Sequence, residues 1–259
     1  MIEKLLLLRG EPYEVNQHIS INHPTLEDIE RYGESRYWQL ISSLTASSFD
    51  FRFQLDDMGF DYEDIDDFTV FCMLSPTLSK EESYILFGDI DFTKFRRDVD
   101  GEEKRLVNDE SGLVIDQVHY ELIVEFLRTL HGLKRNYKTF GNKMARKFYM
   151  EDERRNLERK LNEKSDDESS YAQLVSALVN CAEFKYDYRT VWTMPIYTFM
   201  DSVHQVQKMM NYKNLMTGIY TGNIDSKKIP KKQLTWMKKD DSIHRLNPAT
   251  ALQDLLAII

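Results

Sequence analysis

The chain of 259 residues is 42% hydrophobic and 30% charged, and this composition excludes a protein that is disordered throughout. Residues 1–127 hold 28 acidic residues against 11 lysines and arginines, a formal charge of −17, whereas residues 128–259 hold 15 against 23, a charge of +8. Opposite charges on two halves predict a protein that interacts and assembles, because the resulting fields select partners and orientations.

The N-terminal segment predicts β-structure followed by helix. Residues 4–21 predict a hairpin or two short strands, the first of them over residues 4–8. Thr25 is a good helix N-cap with Asp28 three residues later, and apolar residues then recur at helical spacing. Gly33 interrupts this pattern and predicts a kink or a split in the helix.

The rest of the acidic half alternates between helical and β-rich sequence. Helical patterns cover residues 48–58 and resume at Asp61, ending at Ser75-Pro76. Residues 83–115 are β-rich around Asp100-Gly101, a dipeptide typical of hairpin turns. This half therefore predicts helices with small β-hairpin elements between them.

The clearest helical pattern begins after Asp116, a plausible N-cap, and Gly132 marks its C-terminal end. His131 lies in its last predicted turn, where a cation would complement the helix dipole. The two cysteines, Cys72 and Cys181, lie in apolar helical patterns, so we expect buried thiols in a reducing, cytoplasmic environment.

Beyond residue 133 the chain is first basic and then helical. A polar linker is predicted over residues 162–170, helices over 171–181 and 196–217, and then a Lys-rich loop and a short apolar tail. The fold class predicted is α+β and mostly helical, with small β-hairpin elements in the N-terminal half and an all-helical C-terminal half. The predicted organisation is an acidic α+β domain (1–132), a basic helix with a polar linker (133–170) and a helical domain (171–259).

The acidic run over residues 56–67 has three interpretations. The first is a solvated helix face whose carboxylates complement the helix dipole. The second is a docking surface for a basic partner or for the chain's own basic half, and the third is a metal site. Asp89 and Asp91 would point to one face of a strand and could hold Mg²⁺ or Mn²⁺ if further ligands converged, which makes a metal-dependent hydrolase a rival hypothesis.

Sequence signatures of catalysis are missing from the chain. It has no HExxH or CxxC spacing, and its ten glycines form no GxSxG, GxGxxG or Walker-type loop. We therefore predict that the protein is not an enzyme and takes no cofactor.

The basic segment of residues 128–164 holds 12 lysines and arginines against 5 acids, with aromatic residues interleaved. It is interpreted as a solvated helix, a protein-docking segment or a nucleic-acid contact that tracks phosphates and stacks bases. The predicted partner contacts combine aromatic and basic side chains from this segment and from the Lys-rich loop: Tyr137, Phe140, Arg146, Lys147, Tyr149, Lys231, Lys232 and Trp236.

Two stretches carry a family resemblance. They are ISINHPTLEDIERYGESRYWQLISSLTASSFDFRFQLDDMG at residues 19–59, and VWTMPIYTFMDSVHQVQKMMNYKNLMTGIYTGNID at 191–225, which runs on to KKQLTWMKK. Both resemble proteins encoded in the tail-morphogenesis region of tailed phages that infect Gram-positive bacteria. The resemblance implies a non-enzymatic protein, either a tail-assembly-chaperone-like protein or a minor structural component, and supplies no functional residues.

The expected function is virion assembly through contacts with phage tail or other virion proteins, or with further copies of the chain, in the host cytoplasm or in the virion. No membrane partner is expected. The alternative is a nucleic-acid-associated accessory protein that uses residues 128–164.

Overall fold

The computed structural model describes residues 2–100, 103–162, 170–230 and 234. Helices dominate this part of the chain, as the sequence predicts. In chain order they are α1 (Lys4–Arg9), α2 (Leu26–Tyr32), α3 (Glu34–Thr45), α4 (Arg52–Asp57), α5 (Asp67–Leu74), α6 (Lys80–Phe87), α7 (Gln117–Leu130), α8 (Lys143–Asn162), α9 (Ser170–Val179) and α10 (Ile196–Tyr220).

Two small antiparallel sheets lie in the N-terminal half, which confirms the predicted fold class. The first pairs β1 (Tyr13–Glu14) with β2 (Ser20–Ile21). The second has the order β3-β4-β5. Its strands are β3 (Arg96–Asp100), β4 (Glu103–Asn108) and β5 (Leu113–Ile115). Asp100 is paired with Glu103, so the predicted hairpin joins β3 to β4.

Local capping explains where α2, α3 and α7 begin and end. The Thr25 side chain accepts from the Asp28 N–H at 3.1 Å, while Asp28 accepts from the Thr25 N–H at 2.9 Å, forming a capping box. Gly33, with φ of 99°, separates α2 from α3 as predicted. Asp116 caps α7, and Gly132 follows its C-cap with φ of 61°.

Two segments predicted as β-structure are helical. Residues 4–8 belong to α1, whose leucine run has no alternation and ends at Gly10 in the left-handed region. A Cβ at Gly10 would lie 2.5 Å from the Pro195 ring, so the close approach also favours glycine. Residues 83–87 belong to α6, which begins with a capping box between Ser79 and Glu82. That Ser-x-x-Glu signature is present in the sequence.

One main hydrophobic core runs from Leu7 to Val206 along the chain. Buried side chains of α9 and α10 belong to the same cluster as those of α1 to α3 and of α5 to α7. A bridge between Thr25 and Pro195 further ties the start of α2 to the start of α10. The three-part division predicted from the sequence stays a prediction, and the buried core crosses it.

Two neutral histidines lie inside this core. His131 is fully buried; its Nδ1 donates to the Leu127 carbonyl at 2.7 Å, and its Nε2 accepts from the Tyr37 hydroxyl at 2.6 Å. Burial lowers the pKa of both His131 and His23 to about 4. The expectation of a cation at the end of α7 is therefore wrong, because desolvation outweighs the helix dipole.

The thiols differ in burial. Cys72 is buried, as expected, and burial raises its pKa to about 11. Cys181 is only partly buried, and its Sγ lies 3.1 Å from a carboxylate oxygen of Glu183. Among the described residues no helix has both the length and the apolar character required to cross a membrane.

Candidate protein-interaction site

The acidic run of residues 56–67 extends from the end of α4 to the start of α5, and some of its carboxylates cap helical turns. Asp66 is the N-cap of α5 and accepts from the Thr69 N–H at 2.8 Å. Asp61 accepts from the Glu63 N–H at 2.9 Å, at the start of a single helical turn. Carboxylates in these positions stabilise helix N-termini, as the dipole interpretation of the run predicts.

The same run also contacts the chain's own basic segment. We call residues 49–67 the acidic bed, and residues 133–162, which include α8, the strap. The Arg146 guanidinium lies 2.8 and 2.6 Å from the two carboxylate oxygens of Asp61. This hydrogen bonding lowers the pKa of Asp61 and keeps its carboxylate ionised.

Further ion pairs extend the contact on either side. Arg154 lies 2.9 Å from Asp57 and 3.2 Å from Asp56, at the C-terminal end of α4. Arg135 lies 2.6 Å from Asp67, at the start of α5. Opposite charges therefore join strap and bed over much of their length. This contact corresponds to the predicted alternative in which the acidic run docks on the chain's own basic half.

An aromatic cluster lies beneath these ion pairs, separate from the main core. Phe49 and Tyr62 of the bed are buried and meet edge to face at 5.3 Å. Phe140 and Tyr149 of the strap pack against them: the Tyr149 ring is stacked on Phe49 at 6.4 Å and is tilted against Phe140 at 5.0 Å. The Arg146 guanidinium lies 4.5 Å above the Tyr62 ring, so one side chain joins the charged and aromatic layers.

Three of the predicted partner contacts, Phe140, Arg146 and Tyr149, are thus engaged within the chain. Tyr137 is 41% exposed and lies 4.6 Å beneath the Arg135 guanidinium. The Lys147 side chain is 77% exposed. Lys231, Lys232 and Trp236 lie outside the described residues. The role of the whole set in binding a partner stays a prediction.

Sequence reasoning did not single out Arg135 and Arg154, or assign Asp56, Asp57 and Asp67 to them. The signal that could have found them is the density of opposite charge in the two segments. Spacing alone does not pair the residues, because the partners lie 68 to 98 positions apart.

The carboxylates suggested for a metal have separate partners. Asp89 pairs with Lys80 at 2.8 Å, and Asp91 accepts from the Thr93 hydroxyl at 2.6 Å and from its N–H at 3.1 Å. Within the described ranges no group of three or more His, Cys, Asp or Glu residues is placed to hold a metal ion.

The chain was compared with family models, curated proteins and solved structures. Residues 163–241 match a family model described as the YomV second domain. No curated protein and no solved structure matches the chain. The matched residues cover well under half of the chain, include α9 and α10, and are similar to a bacteriophage-associated domain.

Proposed function

We propose that this chain is a non-enzymatic phage protein that acts in virion assembly, at the tail, as a chaperone-like or minor structural component in the host cytoplasm or the virion. The observation that carries the proposal is a partly exposed apolar stripe on α10, within the region similar to a phage-associated domain.

The stripe lies on the C-terminal half of α10. The buried residues of this helix end at Val206, and residues 207–220 include none that is buried. At 1.5 Å per residue, this half is roughly 20 Å long. Its apolar side chains recur at the spacing of one helical face: Tyr212, Leu215, Met216 and Ile219.

An apolar helical face at the molecular surface favours contact with another protein rather than with a phosphate backbone. The arginines of the basic segment support the same choice. Arg135, Arg146 and Arg154 each face a carboxylate of the same chain, so their charges are already compensated. The separate partners of Asp89 and Asp91 weigh against the metal-dependent hydrolase.

The test is genetic and morphological. Inactivating the gene in the phage that encodes this chain should leave filled heads and few complete tails in electron micrographs of the lysate. The wild-type gene should restore tails, whereas the stripe variant Met216→Asp/Ile219→Asp should not. Asn214→Asp, which adds a charge at an exposed position between stripe residues, is the matched control and should restore them. Normal tails in the null phage would reject the proposal.

The alternative, a nucleic-acid-associated accessory protein, rests on the exposed lysines of the strap, among them Lys143 and Lys147. It predicts a gel shift whose affinity falls steeply with salt concentration. The proposal of protein contacts predicts no shift at physiological salt.

A further inference from the structure

The connection between α9 and α10 exposes aromatic rings and cations within one short segment. We call residues 184–189 the aromatic loop. Tyr186 is 43% exposed and Tyr188 is 51% exposed, and the side chains of Lys185 and Arg189 lie at the surface as well. Two rings and two cations are therefore accessible to a partner.

Contacts with the rest of the fold fix the aromatic loop. Phe184 packs against the main core, and the Tyr186 ring lies 5.5 Å from it. The Asp187 carboxylate accepts from the backbone N–H two residues later at 3.0 Å and three residues later at 2.9 Å. The Asn180 side chain donates to the Tyr188 hydroxyl at 2.9 Å. A surface that is held in place before binding loses little conformational entropy on binding.

The two cations of the aromatic loop have no counter-ion within the described part of the chain. Neither Lys185 nor Arg189 forms an ion pair there. Each of the other described arginines reaches a carboxylate, a carbonyl, an amide oxygen or an aromatic ring. An exposed guanidinium is a strong planar donor for an oxyanion, so the charge of Arg189 remains for an external one.

The carboxylates beside these cations favour a protein anion over a nucleic acid. Asp187 lies between Lys185 and Arg189 in the chain, and Glu183 directly precedes the loop. A nucleic acid strand would bring a row of phosphates against these carboxylates. A protein segment can instead place one carboxylate at the guanidinium and apolar side chains on the rings. Tyrosine and arginine are also enriched at the energetic centres of protein interfaces.

The aromatic loop adjoins the apolar stripe of α10. Glu183, at the start of the loop, pairs with Lys213 of α10. Lys213 neighbours the stripe residue Met216 on the helix surface, because the two are three positions apart. Loop and stripe both lie within residues 163–241, the region similar to a phage-associated domain. One partner can therefore contact both.

We propose that the aromatic loop binds an acidic segment of another virion protein. A carboxylate of that segment occupies the Arg189 guanidinium, and apolar side chains beside it pack on the rings of Tyr186 and Tyr188. Lys185 adds a second positive charge, which favours the encounter with an acidic partner. The inference rests on the proposed function and specifies the chemistry of the partner, which the stripe alone does not.

Selection from a random peptide library on the full chain tests this chemistry. We expect the recovered peptides to carry Asp or Glu next to an aromatic or aliphatic residue. Their affinity should fall by about tenfold for Lys185→Glu/Arg189→Glu, because like charges then face each other. Tyr186→Ala/Tyr188→Ala should reduce the affinity to a similar extent, because the rings that cover the apolar side chains are lost.

The matched control is Lys143→Glu/Lys147→Glu, which reverses two exposed charges on α8 and should leave the affinity unchanged. Arg189→Lys keeps the charge without the planar fork, so it should lose less affinity than the reversal. The proposal is overturned if the recovered peptides lack acidic residues, if they bind the reversed chain as well as the wild type, or if no peptide depends on the loop. Displacement of the peptides by oligothymidylate, bound more tightly at the same residues, would overturn it in favour of single-stranded nucleic acid.

The outcome is separable from that of the tail experiment. Normal tails in the null phage, together with acidic peptides that depend on the loop, would reject the role in tail assembly and leave the chemistry of the loop standing. Missing tails without such peptides would overturn this inference alone.

Discussion

The main core and the acidic bed are built by different kinds of interaction. In the core, rings and aliphatic side chains such as Phe126, Leu127 and Leu130 are fully buried, and even the histidines are neutral. In the bed and strap, a small aromatic cluster is covered by arginines that reach carboxylates at the surface.

This difference separates the stability of the fold from the placement of α8. Apolar burial supplies about 25 cal/mol per Å², and the core holds most of the buried apolar side chains, so it determines whether the chain folds. The ion pairs of the strap are weak in water and are screened by salt, so they determine how α8 is placed. Substitutions in the two regions should therefore change the free energy of unfolding by different amounts, and these changes should depend differently on salt.

The largest effect is expected from Phe126→Ala. The Phe126 ring is fully buried, stacks on Tyr13 at 4.4 Å and meets His23 at 5.2 Å. Its removal should lower the free energy of unfolding by about 3–5 kcal/mol, with little change on adding salt. Urea denaturation measures this. As the control, Phe148→Ala, at a ring that is 63% exposed in the strap, should change stability by less than about 0.5 kcal/mol. Equal losses of stability for the two variants would contradict the distinction between the core and the strap.

Lowering the pH should reduce the stability of the fold, because the core histidines are neutral in the folded chain and take up protons when it unfolds. His23 and His131 have pKa values of about 4 in the folded chain, below the ordinary value of 6.5. The unfolded chain binds more protons between these values, so stability is fully present above pH 6.5 and is lost as the pH falls to 4. The expected slope is about 1.4 kcal/mol per pH unit for each histidine.

His23→Phe removes one of these titrations, and neither ring nitrogen of His23 has a hydrogen-bond partner to lose. Thermal denaturation between pH 4 and 6.5 should show a smaller slope for this variant than for the wild type. An unchanged slope would show that His23 does not contribute to the acid sensitivity.

A smaller effect is expected at the ion pair of Asp61 and Arg146. A double-mutant cycle with Asp61→Asn and Arg146→Gln should give a coupling of about 1 kcal/mol at low salt, because the pair is bidentate, and less at high salt. The pair of Lys147 and Glu151, 3.9 Å apart and well exposed, is the control and should give a coupling near zero. Coupling at Asp61 that is insensitive to salt would contradict the electrostatic account of the strap.

The smallest effect on global stability is expected from Arg154→Gln, which removes the pairs to Asp56 and Asp57. The free energy of unfolding should change by less than about 0.5 kcal/mol. Hydrogen exchange should nevertheless become faster in α8, while exchange in α7 stays as it was. Faster exchange in both helices would mean that strap and core open together.

Elements with an explicit end signal were predictable from the sequence. Asp116 and Gly132 bound α7, and Gly33 divides α2 from α3. The leucine run of α1 has no periodicity that distinguishes strand from helix, so tertiary packing decided its structure. In α6 the capping box of Ser79 and Glu82 was an available signal that the prediction, based on the β-rich residues that follow, did not use.

The candidate site was predictable only in part. The aromatic and basic residues singled out in residues 137–149 do lie together, but largely on the chain's own acidic bed. Composition locates charge along the chain but not in space, so it could not distinguish an external partner from an internal one.

The sequence by itself determined the helical fold class, the caps of α2 and α7, and the separation of charge into −17 and +8 halves, because these depend on residue identity and local spacing. Only the tertiary structure decided that Arg146 meets Asp61, that His131 is neutral and that α10 shares a core with α1. Each of these depends on burial and on contacts between residues distant in the chain, where desolvation and charge pairing outweigh local preference.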